Sequence, residues 1–279
     1  MVHAQPKMQR TFGDGRLKLK AAENKTELDE LYQEGAARIR LPKTYDGCCE
    51  AVMINTSGGL TGGDVMAWSI DAGEAICGVV TTQACEKIYK STGDVARVST
   101  QINVKAGARL DWLPQETILF ERANLSRTLN VTLAGDARFM AVEAVMLGRE
   151  AMGETIVETK FQDRWRIRRD DKLIHADDLR ISGHIPDIQA ASSALNGNAA
   201  FASFVYCGPE DTDVLRAVVA KHFEGAQNLG IGVSAMDGKI TARFLSGDCY
   251  ELRKLLIPFL NKLRVSLGAS TVLPKVWNL

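Results

Sequence analysis

Carboxylates on apolar strands are the side chains of this sequence best placed to do chemistry. Glu143 lies in segment 138–147, on the face that also carries Phe139 and Val145, and the opposite face of the segment is apolar as well. This pattern predicts a strand buried on both faces, where a carboxylate costs several kcal/mol unless it pairs with a cation or binds a metal. Two hypotheses remain for Glu143: an arginine partner, or the wall of an internal polar channel.

A second carboxylate has a similar setting in segment 173–181. Asp177 and His175 share a face there with Leu179. An arginine partner or a solvent-exposed strand end would explain both polar side chains. The alternative is a continuation of the polar path, since carboxylates and an imidazole can hold a borderline divalent cation loosely enough to release it.

Motifs of the common catalytic classes are absent from the sequence. The four histidines (His3, His175, His184 and His222) lack the spacing of a helical metal site, and there is no nucleophile elbow. The six cysteines form no C-x-x-C pair, which disfavours structural zinc; in a reducing compartment they are expected to be mostly buried thiols. A Ser, His and Asp that meet only in space remain an open alternative.

The segment from Asn55 to Asp64 is rich in glycine, with Gly58, Gly59, Gly62 and Gly63 within six positions. A phosphate-binding loop requires Lys and then Ser or Thr after its last glycine, whereas Asp64 and Val65 follow here. The Asp64 carboxylate would also repel an anion. We therefore predict a turn between strands, in which the glycines set the path of the backbone.

Alternation with a period of two residues dominates the chain and is clearest at 97–105. Short turn signals such as 134–136 separate the strands and favour stacked antiparallel structure. Helical periodicity appears only late, at 214–223 and at 252–263, where Pro258 predicts a kink or a restart. No linker or internal repeat is visible. The sequence thus predicts one mainly β domain, residues 1–279, with two amphipathic helices in its C-terminal half. The predicted strands are 16–20, 38–41, 50–55, 65–70, 77–83, 97–105, 128–133, 138–147, 156–168, 173–181, 200–206 and 239–245.

The composition excludes some classes of partner. Lys plus Arg and Asp plus Glu number 34 each, so the formal net charge is zero and the global electrostatic footprint of a nucleic-acid-binding protein is missing. No run approaches the roughly 20 apolar residues of a membrane-spanning helix, and residues 1–16 lack the apolar core of a signal peptide. We predict a cytoplasmic protein without nucleic-acid or membrane partners.

Six sequence blocks occur in order along nearly the whole chain: residues 31–42, 55–64, 81–91, 112–120, 148–154 and 273–277. Together they resemble the UreD (also called UreH) family of urease accessory proteins. The resemblance implies a largely β architecture in stacked, helical-like layers with a pair of helices. It implies a non-enzymatic scaffold that binds urease apoprotein and bridges it to a UreF-like partner, which recruits a UreG-like GTPase.

The resemblance also implies that nickel passes through an internal channel, with no tightly bound cofactor. The candidate lining is Asp64, Glu86, Glu143 and Asp177, and Cys85, where the family commonly has alanine, could add a soft ligand beside Glu86. The block 148–154 is expected to be an exposed docking loop or a β corner. Two competing hypotheses stay open: an autonomous hydrolase or lyase that uses these carboxylates as acid and base, and a structural adaptor through which no metal passes.

Overall fold

The computed structural model describes residues 9–148, 156–223, 230–269 and 273–278. Two β-sheets and three helices account for most of this part of the chain, which confirms the predicted mainly β class. In chain order the strands are β1 (Phe12–Ala22), β2 (Lys25–Gly35), β3 (Ala37–Arg40), β4 (Cys49–Asn55), β5 (Val65–Ala72), β6 (Cys77–Thr82), β7 (Glu86–Ile88), β8 (Ala96–Val104), β9 (Arg109–Leu113), β10 (Thr117–Leu119), β11 (Asn124–Leu133), β12 (Arg138–Leu147), β13 (Glu158–Arg169), β14 (Lys172–His184), β15 (Ala200–Cys207), β16 (Ile231–Met236) and β17 (Lys239–Ser246).

The chain winds back and forth between the two sheets. The seven-stranded sheet has the order β14-β13-β11-β8-β5-β1-β2, and the main path of the ten-stranded sheet is β16-β17-β15-β12-β9-β6-β4-β3. Strands that follow one another from β4 to β13 mostly lie in different sheets, so neighbours within a sheet come from successive coils and run in the same direction.

The prediction of mostly antiparallel strands is therefore wrong. Of the fifteen described strand pairings, nine are parallel and six antiparallel. The short turns of the sequence connect strands of opposite sheets at the corners of coils, and such corners use the same Gly and Asp residues as hairpins do. Turn chemistry alone cannot distinguish the two.

A structural repeat accompanies this winding, although none is visible in the sequence. Cys49 pairs with Gly78, and Cys77 pairs with Arg109, so equivalent backbone positions recur after about 30 residues. The repeat consists of backbone geometry and alternating burial. Many different apolar residues satisfy it, which is why the sequence shows no repeated motif.

The molecule has three layers with a hydrophobic core on each side of the ten-stranded sheet. One core lies between the sheets and includes Trp68 and Ile102 of the seven-stranded sheet. The other lies between the ten-stranded sheet and the helices and includes Phe204 and Phe259. The central strand β12 contributes alternate residues to the two cores, so it is buried on both faces as predicted.

The helices are α1 (Ile185–Ala190), α2 (Thr212–Phe223) and α3 (Cys249–Ser266). The two predicted helices are present, and α1 is an addition. The Asp248 carboxylate caps α3 by accepting a 2.7 Å hydrogen bond from the Glu251 amide. Pro258 lies within α3, which continues to Ser266 without the predicted restart. None of the described helices is both long and apolar enough to cross a membrane.

Cys48 and Cys77 form a disulfide, with their Cα atoms 4.7 Å apart. The expectation of free thiols is therefore wrong for this pair, while Cys49, Cys85, Cys207 and Cys249 are free. The adjacent residues Cys49 and Gly78 are parallel neighbours on β4 and β6, so the two sulfurs are brought together by one turn of the winding. That proximity depends on the coil length, which the sequence does not reveal.

Candidate functional site

A buried arginine joins two carboxylates between the sheets. Along β11, inward-facing residues alternate with outward-facing ones. Arg127 is an inward-facing residue and is buried like Leu125 and Leu129 on the same face. Its guanidinium donates to Glu143 Oε2 on β12 at 2.5 Å and to Asp163 Oδ2 on β13 at 2.7 Å. Thr117 Oγ1 accepts from the same arginine at 3.0 Å, and the indole N–H of Trp112 donates to Glu143 Oε1 at 2.9 Å. Glu143 thus has the arginine partner that one of the two hypotheses required.

The cluster holds two carboxylates for one guanidinium, so it carries an excess negative charge when both acids are ionised. Burial raises the pKa of Glu143 to about 7; the Arg127 charge opposes this rise, and the Asp163 charge adds to it. Burial alone would lower the pKa of Arg127, but the two carboxylates raise it above its ordinary value, so the arginine stays charged. A proton or a metal cation can therefore neutralise Glu143 near neutral pH.

Glu86 on β7 lies at the other side of the same internal space. Its Oε1 accepts a 3.0 Å hydrogen bond from the side-chain amide of Asn55. Burial raises the pKa of Glu86 to about 7, and the Asn55 hydrogen bond only partly opposes the rise. No described cation forms an ion pair with this carboxylate, so its negative charge is costly in the same pH range.

Glu86, Glu143 and Arg127 line one cavity of about 50 Å³ between the sheets. The volume has room for roughly three waters, or for one cation that keeps part of its hydration shell. Thr82, Thr100, Gln115 and Thr117 supply further oxygen atoms to the wall, and most of the remaining lining is apolar. Within the described residues, no three His, Cys, Asp or Glu side chains form a group that could hold a metal ion.

The other two candidate residues lie away from this cavity. Asp64 closes the glycine turn: its carboxylate accepts 2.7 Å hydrogen bonds from the amides of Thr11 and Thr61. Asp177 on β14 pairs with Arg243 of β17 at 2.5 Å, which is the arginine-partner explanation. The structure thus brings Glu86 and Glu143 together and leaves Asp64 and Asp177 apart. The loop 149–154 lies outside the described residues.

Comparison with known proteins decides the family. The family model described as UreD urease accessory protein matches residues 12–278. The chain belongs to the UreD family of urease accessory proteins. It is 52% identical to "Urease accessory protein UreD" of Rhizobium leguminosarum bv. viciae over 278 residues, 100% of this chain and 99% of that relative. The proteins of the same name from Rhizobium etli and Agrobacterium fabrum are 52% and 46% identical, over 97% and 98% of this chain and 96% and 93% of theirs.

Membership of the UreD family confirms the resemblance read from the six sequence blocks and gives the chain a role in urease maturation, together with urease and its other accessory proteins. The family blocks also contain residues of the cavity. Asn55 is the first residue of the glycine block, Glu86 lies in the block 81–91, and Trp112 and Thr117 lie in the block 112–120. Two of these blocks, 81–91 and 112–120, therefore line the cavity, and Asn55 of a third block contacts it through its hydrogen bond to Glu86.

Cys85 does not line the cavity that Glu86 lines, and its side chain contacts Glu116 instead. Its thiol donates to Glu116 Oε2 at 3.3 Å, and Arg253 of α3 pairs with the same carboxylate at 2.8 Å. Burial and the negative charge of Glu116 raise the pKa of Cys85 to about 12. The thiol therefore stays protonated and is a poor metal ligand at neutral pH.

Arg127 and Asp163 are the two site residues that our sequence reasoning missed. The predicted strand began at Thr128, whereas β11 begins at Asn124. Extending the alternation backwards would have placed Arg127 on the inward face with Leu125 and Leu129. Asp163 alternates in the same way with Phe161 and Trp165 on β13. The pattern thus indicates that both charges face inward, but it does not show that they meet Glu143.

Proposed function

We propose that this UreD-family chain is a nickel-delivery scaffold of urease maturation. In this proposal it binds the urease apoprotein, bridges it to a UreF-like partner and through that partner to a UreG-like GTPase, and conducts nickel towards urease. It acts in the cytoplasm as a single domain without catalytic activity of its own. Nickel is the cargo and is bound only transiently.

The observation that carries the proposal is the pair of glutamates in one internal cavity. Glu86 and Glu143 are held where burial raises both pKa values to about 7, and neither has a cation to itself. A folded protein gains no stability from such groups when they are ionised, so their placement needs another explanation. The passage of a cation would explain their placement, since a divalent ion can displace the protons and neutralise both carboxylates.

The Arg127 guanidinium favours release over retention. It already neutralises part of the carboxylate charge and repels a divalent cation at the cavity wall. The few polar groups there are oxygen donors, whereas tight nickel sites favour imidazole and thiolate ligands. A conduit of this kind requires energy from outside, which the proposed GTPase would supply.

The test is the nickel content of urease matured with the Glu143→Gln variant. The substitution removes a charge and keeps the size of the side chain. Arg127 retains its two hydrogen bonds to Asp163, at 3.1 and 2.7 Å, so no buried guanidinium is left without a carboxylate. We expect the complex of urease and accessory proteins to assemble normally and the urease to contain several-fold less nickel.

The matched control is Glu210→Gln. Glu210 also pairs with an arginine, Arg138, at 2.8 Å, but lies outside the cavity. It should leave nickel loading unchanged. Normal assembly with normal nickel content for both Glu143→Gln and Glu86→Gln would contradict the conduit and favour the adaptor hypothesis. Failure of the wild-type chain to co-purify with urease would contradict the scaffold itself.

A further inference from the structure

A basic cleft crosses the outer face of the seven-stranded sheet, where three parallel strands begin. It consists of two adjoining cavities of about 620 and 330 Å³, which share Asn124, Lys160 and Ser182. The cleft lies on the solvent side of the sheet, separate from the cavity that holds Glu143. Among the residues that the structure describes, the charged lining consists of Lys90, Arg97, Arg122, Lys160 and Arg180, with Glu158 as the single acid.

These charges are largely uncompensated. Within the described chain, Lys90 and Lys160 form no ion pair with a carboxylate. Arg122 and Glu158 are both exposed and 4.0 Å apart, a separation at which a surface pair contributes little. Two further acids flank the cleft: Asp94 lies 3.7 Å from Arg10, and Glu121 accepts hydrogen bonds from the amides of Val157 and Glu158. In the described part of the chain, five lining cations face one lining acid, which is a strong local excess in a chain whose formal net charge is zero.

Strand register orders the cleft. Asn124, Lys160 and Ser182 are direct neighbours across β11, β13 and β14, and form one row. Arg97 of β8, Ser126, Gln162 and Arg180 form the next row. In the second row, Ser126 and Gln162 lie between the longer basic side chains of Arg97 and Arg180, whereas in the first row Lys160 lies between Asn124 and Ser182. The floor therefore offers hydrogen-bonding groups beside three basic side chains.

The dimensions indicate the size of the occupant. Four neighbouring strands span three interstrand spacings, roughly 14 Å. An extended polypeptide advances about 3.3 Å per residue, so four or five residues cross the floor, whereas a single phosphate would meet only one or two of the cations. Phe161, the one aromatic residue among the described lining residues, is buried and cannot stack on a nucleotide base.

We propose that this cleft docks an acidic segment of a partner protein in the maturation complex. This inference rests on the proposed function, because the partner is taken to be a member of the maturation complex. The position of the site and the acidic character of the segment follow from the lining of the cleft. Aspartate and glutamate side chains pair with the lysines and arginines, and the serine, asparagine and glutamine side chains of the floor hydrogen-bond to the extended backbone. Such a contact weakens as salt screens the charges.

The test compares the full-length wild type with two charge-reversed variants. Lys90→Glu/Lys160→Glu alters the cleft. Lys105→Glu/Lys172→Glu introduces the same change of charge at exposed positions at the opposite end of the same strands, outside the cleft. The probe is a labelled peptide of about eight glutamates, followed by fluorescence anisotropy. We expect roughly tenfold weaker binding for the cleft variant, no loss for the control, and weakening of wild-type binding by salt.

Equal peptide binding by all three proteins would overturn the proposal. Displacement of the peptide by inorganic phosphate at low concentration would reassign the cleft to a small anion, and tighter binding of a single-stranded oligonucleotide would reassign it to nucleic acid. Thermal melts of both variants establish that folding is unchanged.

Co-purification with urease and its accessory proteins then distinguishes this inference from the proposed function. If the wild type captures its partners and only the cleft variant loses one of them, both are supported. If the wild type captures none while the peptide result holds, the proposed function fails and the acidic-peptide site stands. If the cleft variant captures every partner as the control does, the docking proposal fails even though the scaffold function survives.

Discussion

Burial raises the pKa of both Glu86 and Glu143 to about 7, but the groups that oppose this rise differ. Glu86 has a neutral hydrogen-bond partner, Asn55, and burial dominates. Glu143 has a cationic partner, Arg127, but shares that cation with Asp163, so the benefit is divided. Both carboxylates are thus only partly compensated, and the proposed conduit depends on that property.

Glu86→Gln is expected to stabilise the protein at alkaline pH and to reduce nickel delivery. The folded-state pKa of Glu86, about 7, exceeds its ordinary value of 4.5. The folded state therefore binds the proton more tightly, and the contribution of Glu86 to stability is fully present below pH 4.5 and is lost as the pH rises through 7. Removing this titration should raise the free energy of unfolding by about 1–3 kcal/mol at pH 8 and change it little at pH 4.

Chemical unfolding at several pH values measures this effect. The control is Glu74→Gln, an exposed glutamate in the turn between β5 and β6, which should not alter the pH profile. A Glu86→Gln variant that is destabilised at pH 8 would show that the ionised carboxylate has a favourable structural partner. A stabilised variant with reduced nickel loading is the result expected of a functional residue retained at a cost in stability.

Among the elements, the glycine turn between β4 and β5 shows two distinct reasons for glycine. Gly59 has φ +147° and lies against the Lys87 carbonyl and the Tyr89 ring. Gly62 needs no positive φ, but a Cβ added there would lie 2.4 Å from the Asp94 carbonyl oxygen. The turn packs directly on the next coil, and Asp64 closes it, so it sets backbone geometry as the sequence predicted.

Gly62→Ala should therefore destabilise the fold by about 1–3 kcal/mol, because the new methyl group meets backbone that cannot move cheaply. Gly58→Ala is the control: Gly58 has φ +76° but open space around its Cα, so only the backbone strain of roughly 1 kcal/mol applies. Thermal unfolding and folded yield measure both. Equal stability of the Gly62→Ala variant and the wild type would show that the two coils are less tightly packed than the structure indicates.

At the scale of the whole molecule, the outer helices expose apolar side chains on a protein with no net charge. Val214 of α2 is 51% exposed, and Tyr250 and Val265 of α3 are 66% and 62% exposed. Zero net charge gives little electrostatic repulsion between molecules. Exposed apolar residues on helices are typical of surfaces that a partner covers, and they promote aggregation when uncovered.

We expect the chain to aggregate when expressed alone and to become soluble when co-expressed with its maturation partners. Val214→Gln/Val265→Gln should reduce aggregation of the isolated chain, because it lowers the exposed apolar area without touching either core. Size-exclusion chromatography with light scattering reports both effects. A monodisperse, monomeric wild type at high concentration would contradict the prediction.

The sequence alone determined what local patterns can encode. Alternation predicted most strands. The two apolar faces of segment 138–147 predicted that β12 is buried on both sides, and therefore that Glu143 is a buried carboxylate in need of a partner. Two strands were not predicted because they lack this alternation: the edge strand β2 is polar and largely exposed, and β9 is buried at every position. Local pattern records which face of a strand is buried, and in these two strands the faces do not differ.

Only the tertiary structure decided which side chains meet. Arg127, Glu143 and Asp163 come from three strands in two sheets, and Glu86 reaches their cavity from a fourth. Their proximity depends on coil length, on parallel register and on the separation of the two sheets, none of which a single strand encodes. The same is true of the Cys48–Cys77 disulfide and of the basic cleft, whose charges are distant along the chain and adjacent only because successive coils stack in register.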